Sequence, residues 1–167
     1  MHPLIQHLVS QGPVLTDGAW GTEFQARGLE AGECPDRWNL THPDRVEEVA
    51  RAYVEAGSQV ILTNTFRANR LALERHGLAE HFKDINRKGV EISRRAAAGR
   101  ARVFASLGPS GKLLMMGEVT EDELLAAFSE QTQALAEGGA EALVFETMSD
   151  LAEAKVCVQA ARGTGLP

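Results

Sequence analysis

VLTDGAWGTEFQ, residues 14–25, runs from an apolar, strand-like start (Val14, Leu15) straight into Asp17-Gly18, then into small residues, a Trp and a Glu. Asp-Gly favours tight hairpins. A hairpin needs a second strand directly after it, however, and the continuation AWGTEFQARG does not alternate as a strand does. The other reading is a strand whose carboxyl end opens on a binding loop, and the rest of the chain has to choose between them.

Short apolar, β-prone runs recur at 13–16 (PVLT), 59–63 (QVILT), 102–106 (RVFAS) and 142–146 (ALVFE), with helical patterns filling the gaps. Strands alternating with helices imply βα units and a parallel sheet. Between the strands, 42–57 places Val46, Val49, Ala50, Tyr53 and Val54 on one helical face, with Pro43 near its start and Gly57 at its end. Residues 67–99 hold one or two helices, interrupted at Gly77 and Gly89. Residues 120–139 open with a capping box, Thr120 and Glu123, and close on Gly138-Gly139. In 149–163, Ser149 or Asp150 caps a helix expected to bury Leu151, Ala154 and Val158.

The four strand runs continue into DGAWGT, NTFRAN, LGPSGK and TMSD, all rich in residues that bind ligands. In parallel α/β folds the ligand sits at the carboxyl ends of the strands, so these loops predict one site. The chain closes on GTGLP, where a fifth strand is due. Four such units are half of an eight-unit barrel, so the pattern fits either an open four-stranded sheet or half of a larger barrel.

The bulk numbers narrow the function. A chain of 167 residues, 44% hydrophobic and 24% charged, is one ordinary globular domain. Its formal charge of −6 argues against a nucleic-acid or anionic-membrane partner. The basic residues Arg94, Arg95, Arg100 and Arg102 read as a solvated helix face. No run approaches the roughly 20 apolar residues of a membrane span. The start, MHPLIQHLVSQGP, lacks the basic and long apolar parts of a signal peptide and instead puts Leu4, Ile5, Leu8 and Val9 on one helical face. Two cysteines make no disulfide framework, so a cytoplasmic protein is expected.

Four segments in register resemble the homocysteine S-methyltransferase family: TDGAWGTEFQ its first-strand signature, ILTNTFRAN its second-strand element, SLGPSG its third-strand loop and FETMSDLAEAK its fourth. The resemblance runs from about residue 12 onward. It implies a (βα)8 TIM barrel of parallel strands, of which residues 1–167 form a single domain comprising the first four βα units, the amino-terminal half. It also implies methyl transfer to the thiol of homocysteine, held as a thiolate by zinc. The family's cysteine ligands for zinc belong to the later strands and are not present in this chain. The methyl donor, whether betaine, methylcobalamin or methylfolate, or S-methylmethionine, is not specified by these motifs.

By the same resemblance, Asp17, Gly18 and Ala19 hold the amino-acid end of homocysteine, with small residues letting the backbone approach closely, and Glu146 receives the ammonium group. Asn64 and Thr65 fit pocket lining and turn capping equally well. Phe66 fits packing, and Gly108-Pro109-Ser110-Gly111 fits a turn at the pocket rim rather than a phosphate loop. Trp20 and Trp38 could shield a pocket, though core packing is the simpler account, and the segment after Cys34-Pro35 reads as a loop that could cover the site.

Cys34, Cys157 and the five histidines show no metal-binding spacing, so no metal site is expected. Cys157 reads as a small buried hydrophobe, and His76 and His81 as surface residues. Unpaired edges of the first and fourth strands invite a homo-oligomer. The competing reading is a non-catalytic half-barrel that binds an amino acid or serves as an assembly unit.

Overall fold

A computed structural model describes residues 1–167. Three parallel strands, β1 (Val60–Leu62), β2 (Arg102–Leu107) and β3 (Ala142–Phe145), lie in chain order in one sheet. Leu62 is in register with Phe104, and Ser106 with Val144. Around them run helices α1 (Pro3–Val9), α2 (Trp20–Ala26), α3 (Trp38–Thr41), α4 (Pro43–Glu55), α5 (Arg70–Glu74), α6 (Phe82–Ala97), α7 (Glu121–Gly138) and α8 (Leu151–Ala161). No helix is long and apolar enough to cross a membrane.

The expected first strand, 13–16, is reduced to a single parallel bridge, Thr16 to Val60. The ladder is still recognisable: Gln59 and Val60 donate backbone N–H groups to Leu15 O, and Asp17 N–H donates to Val60 O. Leu15 N–H, however, is taken by the Gln59 side chain, and the Leu15 side chain is 57% exposed. With little apolar burial to hold it flat, the segment leaves the sheet after one bridge.

Alternation decides which side chains meet the helices. Val103, Ala105 and Leu107 of β2 pack on the helical layer, the last two with Val90 of α6 and Leu135 of α7. Successive strand residues face opposite ways, so Phe104 and Ser106 point to the other face, as do Val144 and, one step beyond β3, Glu146. The polar groups at the carboxyl ends therefore gather on the face free of helices.

The helices follow their caps. Thr120 and Glu123 form the expected capping box of α7, and Gly139 closes it with φ +91°. Asp150, rather than Ser149, caps α8 through the Ala152 N–H at 2.7 Å. Gly77 ends a turn, but Gly89 does not interrupt anything. It lies inside α6, where a Cβ would come 2.6 Å from Thr65 Cγ2 and 2.8 Å from Asn39 Nδ2. A glycine that reads as a helix break is here a close-packing position against the loop after β1.

In α8 the expected buried face is also corrected. Leu151 and Val158 are 71% and 49% exposed, while Glu153, Val156, Cys157 and Ala160 are buried. Two stripes of helical period overlap in this segment, and contact with Leu124 and Phe128 of α7 selects the second. The segment after Cys34 is likewise no covering loop. It forms a 3₁₀ turn (Pro35–Arg37) and α3, with Trp38 buried edge-on against Phe24 at 5.4 Å between ring centroids.

Candidate functional site

At the carboxyl ends of the strands lies a cavity of about 510 Å³. Its floor brings together Gly18 and Ala19 after the first bridge, Thr63 and Asn64 after β1, Ser106 at the end of β2 and Glu146 after β3. Trp20 and Phe66 form apolar wall, and Asp36 and Arg67 stand at its side.

Asp17 anchors the floor. Its Oδ2 accepts two hydrogen bonds at 2.7 Å, from Trp20 Nε1–H and from the Leu62 backbone N–H, and its Oδ1 accepts none from another residue. Burial pushes its carboxyl above the usual range and the neighbouring Glu146 charge adds to this, while the Leu62 and Trp20 hydrogen bonds oppose it. Asp17, beneath the floor, and Glu146, which lines the cavity, are thus close enough for their charges to repel. On the Glu146 side, Ser106 Oγ–H donates to Oε1, and Oε2 has no protein partner.

The residue after Glu146, Thr147, adopts φ +61°. A β-branched residue in the left-handed region is strained, at a cost of about 1–3 kcal/mol. The chain turns sharply there, and that turn presents the preceding carboxylate to the cavity. Tyr53 braces the opposite wall: its hydroxyl donates to Ala19 O at 2.9 Å, and its ring leaves only 3.2 Å for a Cβ at Gly18. Gly18 is thus small because Tyr53 lies behind it.

Of the residues singled out in the sequence, Gly18, Ala19, Asn64 and Glu146 line the cavity, and Asp17 supports it from beneath. Asn64 also has a structural task, donating from Nδ2 to Pro35 O at 2.8 Å and to Asn39 Oδ1 at 2.9 Å. Thr65 does not reach the cavity. It is fully buried, with Oγ1 2.5 Å from Thr63 Oγ1 and donating to Ser106 O at 2.8 Å.

The Gly108–Gly111 loop does not line this cavity either; β2 contributes Ser106 instead. Glu153 Oε1 accepts the Ser110 N–H at 2.6 Å and draws the loop toward α8. Phe66 packs so closely on Gly108 that a Cβ there would lie 2.5 Å from its ring, and it also lines the cavity.

Sequence reasoning missed Tyr53, Ser106 and Asp36. Ser106 was legible from strand alternation once Glu146 was placed. Asp36 was not, because its position depends on how the 35–37 turn folds back over the β1 loop. It is 2% exposed, Oδ1 accepts the Arg67 N–H at 3.0 Å, and Cys34 Sγ lies 3.8 Å from Oδ2. Burial raises its carboxyl to about 6.

The chain's own donors do not fit a metal ion. No three His, Cys, Asp or Glu side chains converge on a common point. Burial pushes the Cys34 thiol up to about 11 and the Cys157 thiol up to about 12, where neither forms a thiolate readily. Cys157 lies in the apolar contact between α7 and α8.

The arrangement has close counterparts. Residues 14–167 match the family model described as homocysteine S-methyltransferase. The chain is 36% identical over 169 residues to the methionine synthase of Mycobacterium tuberculosis, a match spanning 93% of this chain and 14% of that protein. It is 33% identical over 168 residues to that of Mycobacterium leprae, spanning 92% and 14%. The chain thus covers only a small part of the length of these relatives.

Its fold is similar to that of the Escherichia coli homocysteine methyltransferase MmuM. The metallated form matches with a TM-score of 0.84 and 24% identity, over 96% of this chain and 63% of that one. The oxidized form matches with a TM-score of 0.81 and 23% identity, over 95% and 61%. With a family match over residues 14–167 and two methionine synthases more than 30% identical, the chain belongs to the homocysteine S-methyltransferase family.

Proposed function

We propose that residues 1–167 form one domain, the first four βα units of a (βα)8 barrel, and that this domain holds homocysteine for methylation to methionine. The observation that carries the reading is the pair Asp17 and Glu146. Glu146 lines the cavity and Asp17 lies just beneath its floor, near enough for the two charges to repel; each retains an oxygen without a protein partner, and together they suit an ammonium group. Gly18 and Ala19, lacking bulk, let the rest of the amino-acid end lie against the backbone.

In this reading the chain's task is positioning. Asp17 and Glu146 fix the ammonium, Ser106 orients Glu146, Tyr53 and Trp20 hold the Asp17–Ala19 turn, and the apolar wall of Trp20 and Phe66 reduces water around the substrate. Holding a reactant in a productive orientation lowers the barrier by removing its freedom. Activation of the thiol does not belong to these residues, since they do not fit the family's zinc. It falls to a carboxyl-terminal half or to a second chain, which would also meet the methyl donor, be it betaine, methylcobalamin or methylfolate, or S-methylmethionine. The exposed Leu15 beside the outer edge of the Thr16 bridge supports a second reading, a non-catalytic unit that binds an amino acid and assembles through its strand edges.

Calorimetric titration with L-homocysteine tests the site. Losing one charge-assisted contact costs about 1.5–3 kcal/mol, or about tenfold or more in affinity. Glu146→Gln and Asp17→Asn are each expected to weaken binding by about that factor. Absence of binding to the unaltered chain, or variants that bind as tightly as the unaltered chain does, would count against the site. Methionine formation on adding the carboxyl-terminal half of a relative separates the catalytic reading from the purely binding one.

A further inference from the structure

We propose that the opposite end of the sheet carries a second site, for a small phosphorylated anion. The amino ends of β1, β2 and β3 open on another cavity of about 510 Å³, roofed in part by His7 and Leu8 of α1. That volume suits a small organic ligand. The apolar part of its lining is Leu8, Ala97, Ala101 and Val103, and its charged part is dominated by Arg94, Arg100 and Arg102.

The charge balance of this recess runs against that of the chain. Glu141 is its one carboxylate, and it is already engaged by Arg102 at 2.7 Å and by the Val103 N–H at 2.8 Å. Arg94 and Arg100 make no ion pair and no side-chain hydrogen bond, whereas Arg27, Arg51, Arg70, Arg95 and Arg102 each pair with a carboxylate in this chain of net charge −6. Two free guanidinium groups beside a half-open recess are matched by an oxyanion able to take paired N–H donors, and phosphate is the commonest such group.

The backbone around the recess places its arginines. A Cβ at Gly139 (φ +91°) would fall 1.9 Å from Arg94 Nη1, so the guanidinium as placed lies against a residue without a side chain. Arg100 follows two left-handed residues, Ala98 at φ +47° and Gly99 at φ +75°, and its N–H is tied to Ala97 O at 2.8 Å. Left-handed backbone is unfavourable for alanine, and here it turns the chain out of α6 and brings Arg100 to the cavity wall. Arg94, in the last turn of α6, also offsets the helix dipole. Arg100 lies beyond the helix and has no such duty, so it is the more diagnostic residue. This site shares no residue with the carboxylate-floored cavity and does not depend on the reading given to that cavity.

Calorimetric titration of the whole chain with inorganic pyrophosphate at low ionic strength tests the proposal. One saturable site per chain is expected. Arg100→Gln should weaken it by about tenfold or more, and the double variant R94Q/R100Q should abolish it. Circular dichroism confirms that the variants remain folded, and R100Q, outside every helix, keeps the test valid if R94Q does not fold. The proposal is overturned if pyrophosphate fails to saturate the unaltered chain, or if R100Q binds as well as the unaltered chain does. It is equally overturned if poly-glutamate displaces pyrophosphate at lower concentration, since the surface would then serve an acidic protein segment.

Discussion

Replacing Asp36 by Asn should stabilise the protein above about pH 6, with a gain that grows as pH rises from 4.5 and levels off by pH 8. Asp36 is buried at the side of the cavity at the carboxyl ends of the strands, with its carboxyl raised from 3.8 to about 6. Because the folded-state value lies above the unfolded one, the folded protein holds this proton more tightly. The stabilisation is complete below pH 3.8 and is lost as pH rises through about 6. A shift of this size corresponds to about 3 kcal/mol when the titration is complete, and to about 2 kcal/mol between pH 4.5 and pH 8. Asn keeps an oxygen for the Arg67 N–H, bonded at 3.0 Å in the native protein, but carries no charge to desolvate.

Urea unfolding of both proteins, followed by circular dichroism at pH 4.5, 6 and 8, isolates this contribution. Every other titrating group, Asp17 included, is common to the two chains and cancels in the difference. Asp36→Asn is expected to gain about 2 kcal/mol relative to the native chain across that interval. A difference that stays constant within about 0.5 kcal/mol would refute the reasoning. Asp36 would then be ionised at little cost, and its burial would be compensated by partners other than Arg67 and Cys34.

Two further substitutions probe how the cavity is held. Tyr53→Phe removes the hydroxyl that donates to Ala19 O and should cost about 0.5–1.5 kcal/mol in thermal or urea unfolding, with weaker homocysteine binding; unchanged binding would show that the Asp17–Ala19 turn needs no brace. Gly108→Ala places a methyl group 2.5 Å from the Phe66 ring and should cost about 1–3 kcal/mol by overpacking. Combining it with Phe66→Leu should recover part of that loss, and simple additivity of the two costs would speak against the contact.

Local signals sufficed for much of the fold. The capping box at Thr120 and Glu123, the proline at the start of α4 and the glycine after it are short-range chemistry, and each stands where the residues place it. The βα rhythm was legible because strands with a buried helical layer must be apolar, and their polar continuations mark the ligand end. Asp17, Gly18, Ala19, Asn64 and Glu146 could be named because they directly follow strand runs in a motif context.

Tertiary structure decided what periodicity leaves degenerate. Two apolar stripes coexist in α8, and only contact with α7 selects the one that includes Glu153 and Cys157. Gly89 resembles a helix break until Thr65 and Asn39 are seen to need its missing side chain. Thr65 belongs to the buried network beneath the cavity, while Ser106, Tyr53 and Asp36 reach the site from distant segments. The physical reason is common to all of these. Helix caps and strand patterns depend on neighbours within a few residues, whereas burial, close approach and a raised carboxyl depend on atoms that only folding brings together.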